Sequence, residues 1–362
     1  MNKIKIKTYH RLTSAILLVC MALSALLLCA CNAQDQATDD GDYVTVIRVI
    51  DDIAMGGKFT SDKLETVTVR ADSVPEGAYT SEEDLKSKYA ADKKGADVFT
   101  IVTMKNGFHG RTLTTLAATG QEHYHELFQP LTPGFVHAEP NDLADFERIV
   151  AETKVAGVLL ECVQGEGGVN VLDVDYVKGV AEICAREDII LMIDEVQTGN
   201  GRTGTLYAYM QYGIQPDVVT TAKGLGGGLP IGACLMGEKV EAVLGFGDHG
   251  STFGGNPVCA AGACSILSRI DDALLDDVKK KGEYIRVSLE GAVGVKSVSG
   301  LGLMIGIEPE NKPAGEIVKK CMQNGVLCLT AKNKVRLLPA LNIPMVDLEA
   351  AVKVLLAAFA EQ

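Results

Sequence analysis

Strand-length apolar runs recur between residues 155 and 236, separated by stretches that are helix-length or rich in glycine, and no other feature limits the fold so strongly. The runs are Val155–Leu160, 189–193, Val218–Thr221 and 231–236, and residues 175–186 carry apolar side chains at helical spacing. Strands alternating with helices form a mostly parallel sheet with helices on its faces. Ligands of such sheets bind at the loops beyond the strand carboxyl ends.

Three loops of that kind carry chemistry. The run 189–193 ends in Asp194-Glu-Val-Gln-Thr-Gly-Asn-Gly-Arg-Thr-Gly, where an apolar strand delivers a carboxylate suited to a buried cation. The next ends in Thr221-Ala-Lys223-Gly-Leu-Gly-Gly-Gly-Leu-Pro. Glycines beside a lysine let a bulky ligand approach, and a desolvated amine is a nucleophile able to form a Schiff base. The third, Gly250-Ser-Thr-Phe-Gly-Gly-Asn-Pro, leads into a helix beginning near Pro257. The hydroxyls of Ser251 and Thr252 and free N–H groups there suit an anion such as phosphate. Taken singly, Asp194 also reads as a helix cap, Lys223 as a surface lysine and the glycines as a tight turn. The run 224–228 lacks the G-x-G-x-x-G spacing of a dinucleotide loop.

Together with Lys105-Asn-Gly-Phe-His-Gly-Arg-Thr-Leu and Leu160-Glu-Cys-Val-Gln-Gly-Glu-Gly-Gly-Val, these strings resemble the class III aminotransferases of fold type I, on the acetylornithine side of that family. The resemblance runs from about Ile101 to the C-terminus. It implies a large, mostly parallel domain over 100–270 and an α+β small domain over 271–362. It implies pyridoxal 5'-phosphate as cofactor and N-acetylornithine and 2-oxoglutarate as substrates. Lys223 would carry the cofactor as a Schiff base and shuttle the proton, and Asp194 would pair with the pyridinium nitrogen. Gln197 would hydrogen-bond the phenolic oxygen, with Glu161 near it, and Phe108 would stack on the ring. Thr252, beside Ser251, would bind the phosphate of the neighbouring subunit, so a homodimer with shared sites is implied. Arg111 and Arg336 would hold substrate carboxylates bidentately. Glu166 would mask Arg336 when an amine-bearing substrate enters. Two arginines and a movable glutamate suit a pocket that must take both a dicarboxylate and an ω-amine. By the same likeness the body is cytoplasmic.

The N-terminal part reads differently. Lys3, Lys5, Lys7 and Arg11 precede an apolar run from Ala15 to Ala30, which ends Leu28-Cys29-Ala30-Cys31. This resembles a bacterial lipoprotein signal over 1–31, with Cys31 lipidated, that would export the chain and anchor it to a membrane; an uncleaved anchor is the alternative. A polar linker over 32–43 follows. Residues 44–99 resemble a SAF-like β-clip module with an internal echo. The family's phosphate-cradling Ser/Gly-Thr-Glu-Ala-Asn-Glu string is absent, so the chain reads as a fusion joined near Phe99-Thr100-Ile101, with an N-terminally truncated large domain. The competing function is an exported, anchored lipoprotein with an assembly module and an inactive aminotransferase remnant.

Net charge of −13 argues against a nucleic-acid surface. No C-x-x-C pair occurs, and the cysteines from Cys162 onward suit a reduced core. No metal is expected. His123 and His125 read as solvated, and His109 as packing beside the cofactor.

Overall fold

The computed structural model describes the backbone of residues 43–49 and 64–70, and residues 98–361 apart from 246. The leader, Cys31, the linker up to residue 42 and most of 44–99 lie outside the described residues. The chain divides into two compact units, one holding β1 and β2 and the other holding everything from Lys88 onward. In the first, β1 (Tyr43–Val49) pairs antiparallel with β2 (Leu64–Arg70), so the alternating run from Val44 does form a strand.

The second unit begins with β3 (Thr100–Met104), α1 (Leu113–Ala118), β4 (Phe135–Ala138), α2 (Leu143–Glu152) and β5 (Val155–Leu160). It continues through the short pair β6 (Val163–Gln164) and β7 (Asn170–Val171), then α3 (Val174–Arg186), β8 (Ile190–Asp194), β9 (Val218–Thr221) and β10 (Ala233–Met236). The sheet order is β10-β9-β8-β5-β3-β4. All neighbours are parallel except β10, which runs antiparallel at the edge.

Local sequence explains the helices that cover this sheet. The Asp142 carboxylate accepts from the Asp145 N–H and caps α2. In α3 the buried residues are Tyr176, Val177, Val180, Ile183 and Cys184, one face at helical spacing. They pack with Phe146 of α2 against Val102, Val158, Leu160, Leu191 and Ile193 of the central strands. Each such side chain contributes about 1.5–3 kcal/mol by leaving water. Gly179 lets the two helices touch, since a Cβ there would lie 2.6 Å from Leu143 Cδ2.

The chain then forms α4 (Pro257–Leu267), α5 (Asp272–Leu289), β11 (Val295–Leu301), β12 (Met304–Pro309), α6 (Ala314–Gln323), β13 (Leu329–Ala331), β14 (Lys334–Leu337) and α7 (Met345–Ala360). An antiparallel sheet of order β11-β12-β14-β13 packs on α5, α6 and α7 around its own core, including Ile285, Ile307, Val335 and Leu355. A small third cluster of Val163, Val169, Met304 and Ala331 fastens the β6–β7 hairpin to this second sheet. Beside it, Arg336 of β14 meets Gly165 and Glu166 in the turn between β6 and β7. Among the described residues no helix is long and apolar enough to cross a membrane.

Candidate active site

The loops after β3, β5, β8 and β9 converge beyond their carboxyl ends. Asp194, the last residue of β8, is buried. Its Oδ1 accepts the Val196 N–H at 3.0 Å, and its Oδ2 lies 2.8 Å from His109 Nδ1. Because a carboxylate only accepts, Nδ1 carries the proton of that bond. His109 Nε2 is buried without a hydrogen-bond partner. His109 therefore holds the Asp194 carboxylate, where the sequence suggested only packing. Its spacing from Asp194, 85 residues, left no local signal.

Glu161, immediately after β5, is also buried and accepts the Phe108 N–H at 2.9 Å. Burial pushes its carboxyl up to about 7, with His109 opposing that rise and Asp194 adding to it. Gln197 Nε2 is buried and unpartnered. Its side chain has room only because residue 165 is glycine, where a Cβ would lie 2.8 Å from Gln197 Oε1. An unmet buried donor costs about 1–3 kcal/mol, so this amide is poised for an acceptor.

Lys223 follows β9 with a left-handed backbone, φ 45°. Its surface is exposed, because the glycines around it bring no side chains to cover it. Protein atoms crowding the amine still desolvate it and lower its proton affinity, against the opposing pull of Glu161, Glu166 and Asp194. The buried Asn200 amide donates to Thr221 Oγ1 at 2.9 Å and Ala222 O at 3.2 Å, tying the β8 loop to the turn that carries Lys223. Glu195, which sequence order sets beside Asp194, is turned away. It accepts the Thr198 hydroxyl at 2.5 Å and the Tyr209 N–H at 2.9 Å, and braces the loop.

Arg336 reaches the site from β14. It is buried and donates through Nη1 to Gly165 O and Glu166 Oε1, both at 3.0 Å. The expected Glu166–Arg336 pair is thus formed. Arg111 is exposed and lies instead against Phe108 and Tyr124, 5.6 Å and 4.7 Å from their ring centroids.

Ser251 and Thr252 lie on the loop before α4. They are exposed and make no side-chain hydrogen bond among the described residues. The first N–H groups of α4 are not free, because Asn256 Oδ1 accepts from Val258 and Cys259. A short side chain before a proline-initiated helix caps that helix itself. His125, read as solvated, is also engaged: Nε2 lies 2.9 Å from Leu116 O and 2.7 Å from Thr119 O. Among the described residues no cluster of histidine, cysteine and acidic side chains could hold a metal.

A buried carboxylate, an orphan amide donor, a desolvated lysine and an aromatic face match the ring nitrogen, phenolic oxygen, aldehyde and π-face of pyridoxal phosphate. The residues present fit that cofactor at its ring end, and fold and site together define a fold type I pyridoxal-phosphate transferase. The chain matches the model of the family "Aminotransferase class-III" over residues 62–359. It is 50% identical over 282 residues to the acetylornithine aminotransferase of Haemophilus ducreyi, covering 77% of this chain and 72% of that one. It is 42% identical over 293 residues to that of Methanocaldococcus jannaschii, covering 79% and 73%. Among solved structures it resembles the ornithine aminotransferase of Toxoplasma gondii ME49, with TM-score 0.71 and 32% identity over 77% of this chain and 69% of that one. It also resembles the N-acetylornithine aminotransferase of Stenotrophomonas maltophilia K279a, with TM-score 0.63 and 33% identity over 76% and 69%. The chain belongs to the class III aminotransferases and is a pyridoxal-phosphate-dependent enzyme. The family match begins inside the stretch read as a SAF-like module, so the likeness starts well before Ile101. Neither the separate module nor the export signal gains support from these relatives.

Proposed function

We propose that the chain transfers the amino group of N-acetylornithine to 2-oxoglutarate, giving N-acetylglutamate semialdehyde and glutamate. The observation that carries this reading is the Arg336–Glu166 pair, 3.0 Å apart beside Lys223. An arginine needed for one substrate's carboxylate is neutralised when the other presents an apolar or amine-bearing end, and Glu166, partly exposed, has room to swing away. Arg111 binds the second carboxylate.

Bound pyridoxal phosphate supplies an electron sink for the charge that develops at the substrate Cα. Lys223 Nζ would hold the cofactor, and its free amine would move the proton between the substrate Cα and the cofactor carbon. Desolvation keeps a larger share of this amine unprotonated than in an exposed lysine. Asp194 would accept from the ring N–H, and His109 fixes the orientation of that carboxylate. Gln197, whose buried Nε2 lacks a partner, would donate to the phenolic oxygen, and Phe108 would pack on the ring.

The active species is a homodimer in this reading. All four residues of β10 are exposed, as are Val258 and Leu267 of α4 and Phe253 before it. An apolar surface of that extent requires a cover. The test is the spectral half-reaction of the cofactor-loaded chain with N-acetylornithine, ornithine and 4-aminobutyrate in parallel. Fastest bleaching of the cofactor band by N-acetylornithine supports the assignment, and preference for another amine reassigns the substrate.

A further inference from the structure

The loop 105–111, which carries Phe108, His109 and Arg111, is stitched to the segment 119–125. Asn106 N–H donates to Gly120 O at 2.8 Å, and Gly120 N–H to Gly107 O at 3.1 Å. The buried Gln121 amide donates to both Asn106 O and Gly107 O at 3.3 Å. His125 fastens the other end of the segment to the last carbonyls of α1. Tyr124 is therefore fixed relative to the cofactor loop. Its ring meets that of Phe108 edge-on, centroids 5.7 Å apart at 73°, and the His123 ring packs on it at 3.8 Å. Arg111 lies over both Phe108 and Tyr124, nearer to Tyr124. Among the described residues its guanidinium has no carboxylate partner and no hydrogen bond. A guanidinium held by aromatic faces keeps its fork of N–H donors for a planar anion.

We propose that Tyr124 is a positioning residue for the reaction. Braced by His123, its ring holds Arg111 beside Phe108 and so sets the affinity for dicarboxylate substrates. The inference rests on the reading of Arg111 as a substrate-carboxylate anchor. Nothing in the local sequence marks Tyr124; only the stitching of two loops brings it to the arginine.

The experiment is a double-mutant cycle on the full, cofactor-loaded chain. The readouts are calorimetric titration with glutarate, an unreactive dicarboxylate, and KM and kcat for 2-oxoglutarate. Tyr124→Leu should weaken glutarate binding and raise KM about two- to five-fold, with kcat and the cofactor absorbance band kept. Tyr124→Phe, which retains the ring, should behave as native. Arg111→Gln should weaken glutarate at least about ten-fold, and adding Tyr124→Leu to it should cost nothing more. Native behaviour of Tyr124→Leu overturns the proposal. So does an equal loss in the Arg111→Gln background, which is what general unfolding would produce. If Arg111→Gln itself binds glutarate like the native chain, or the native chain does not bind it, the reading of Arg111 fails instead.

Discussion

The two ends of the cofactor site differ in how the fold has prepared them. At the ring end, Asp194 and Glu161 are buried at the ends of central strands and held by His109, Val196 and Phe108. At the end proposed for the phosphate, Ser251 and Thr252 lie on an exposed loop whose following helix is capped by its own Asn256. Strand ends inside a sheet are fixed by neighbours on both sides, so a carboxylate there is oriented before any ligand arrives. A loop between an edge strand and a surface helix has no such neighbours. In the proposed reading, preorganisation is therefore concentrated where charge moves in the reaction, and the anchoring end is completed by the second subunit.

Experiments can break or sharpen that contrast. The largest effect is expected at Lys223, since Lys223→Ala removes the covalent tether. Borohydride trapping of cofactor and amino transfer should both vanish, and undiminished trapping would show that another amine holds it. Asp194→Asn should keep part of the cofactor affinity while kcat falls about 10²–10³-fold, the scale for losing one preorganised electrostatic partner. Near-native turnover would remove Asp194 from the ring nitrogen.

Glu161 gives a test that needs no cofactor. Its carboxyl is raised by burial from 4.5 to about 7. The neutral form favours the fold, so this contribution is complete below about pH 4.5 and is lost as pH rises through about 7. Glu161→Gln should match the native chain in urea unfolding at low pH. It should gain on it as pH rises, levelling above pH 7 at about 3 kcal/mol. A pH-independent difference would show that Glu161 is not the buried titrating group.

His109→Phe removes a hydrogen bond to a charged group, about 1.5–3 kcal/mol. Turnover should drop roughly ten- to hundred-fold, with the pH dependence of the cofactor absorbance shifted. His109→Asn, whose amide can stand at the Nδ1 position, should restore most of both, and equal behaviour of the two variants would reduce His109 to packing. The smallest effect is expected at the open end. Thr252→Ala should change the cofactor dissociation constant by no more than about ten-fold, below the usual worth of a hydrogen bond to a charged phosphate, because Thr252 sits exposed on its loop. A larger loss would mean that the phosphate end is organised in the assembled enzyme.

Much of this molecule was readable before any coordinates. The alternation of apolar runs determined the parallel sheet, because a strand buried on both faces has to be apolar along its length. Asp194 and Lys223 were legible because each closes such a strand, where ligands of open α/β sheets bind. The Asn256-Pro257 start of α4 was legible as local chemistry. Tertiary structure alone decided the rest. The His109–Asp194 contact joins residues 85 positions apart, and the Arg336–Glu166 pair joins residues 170 apart through a hairpin that bridges two sheets. The exposure of Lys223 and the seat of Arg111 on Tyr124 depend on what surrounds each group in space. Sequence periodicity records which face of an element is buried, but not which distant side chain meets it there.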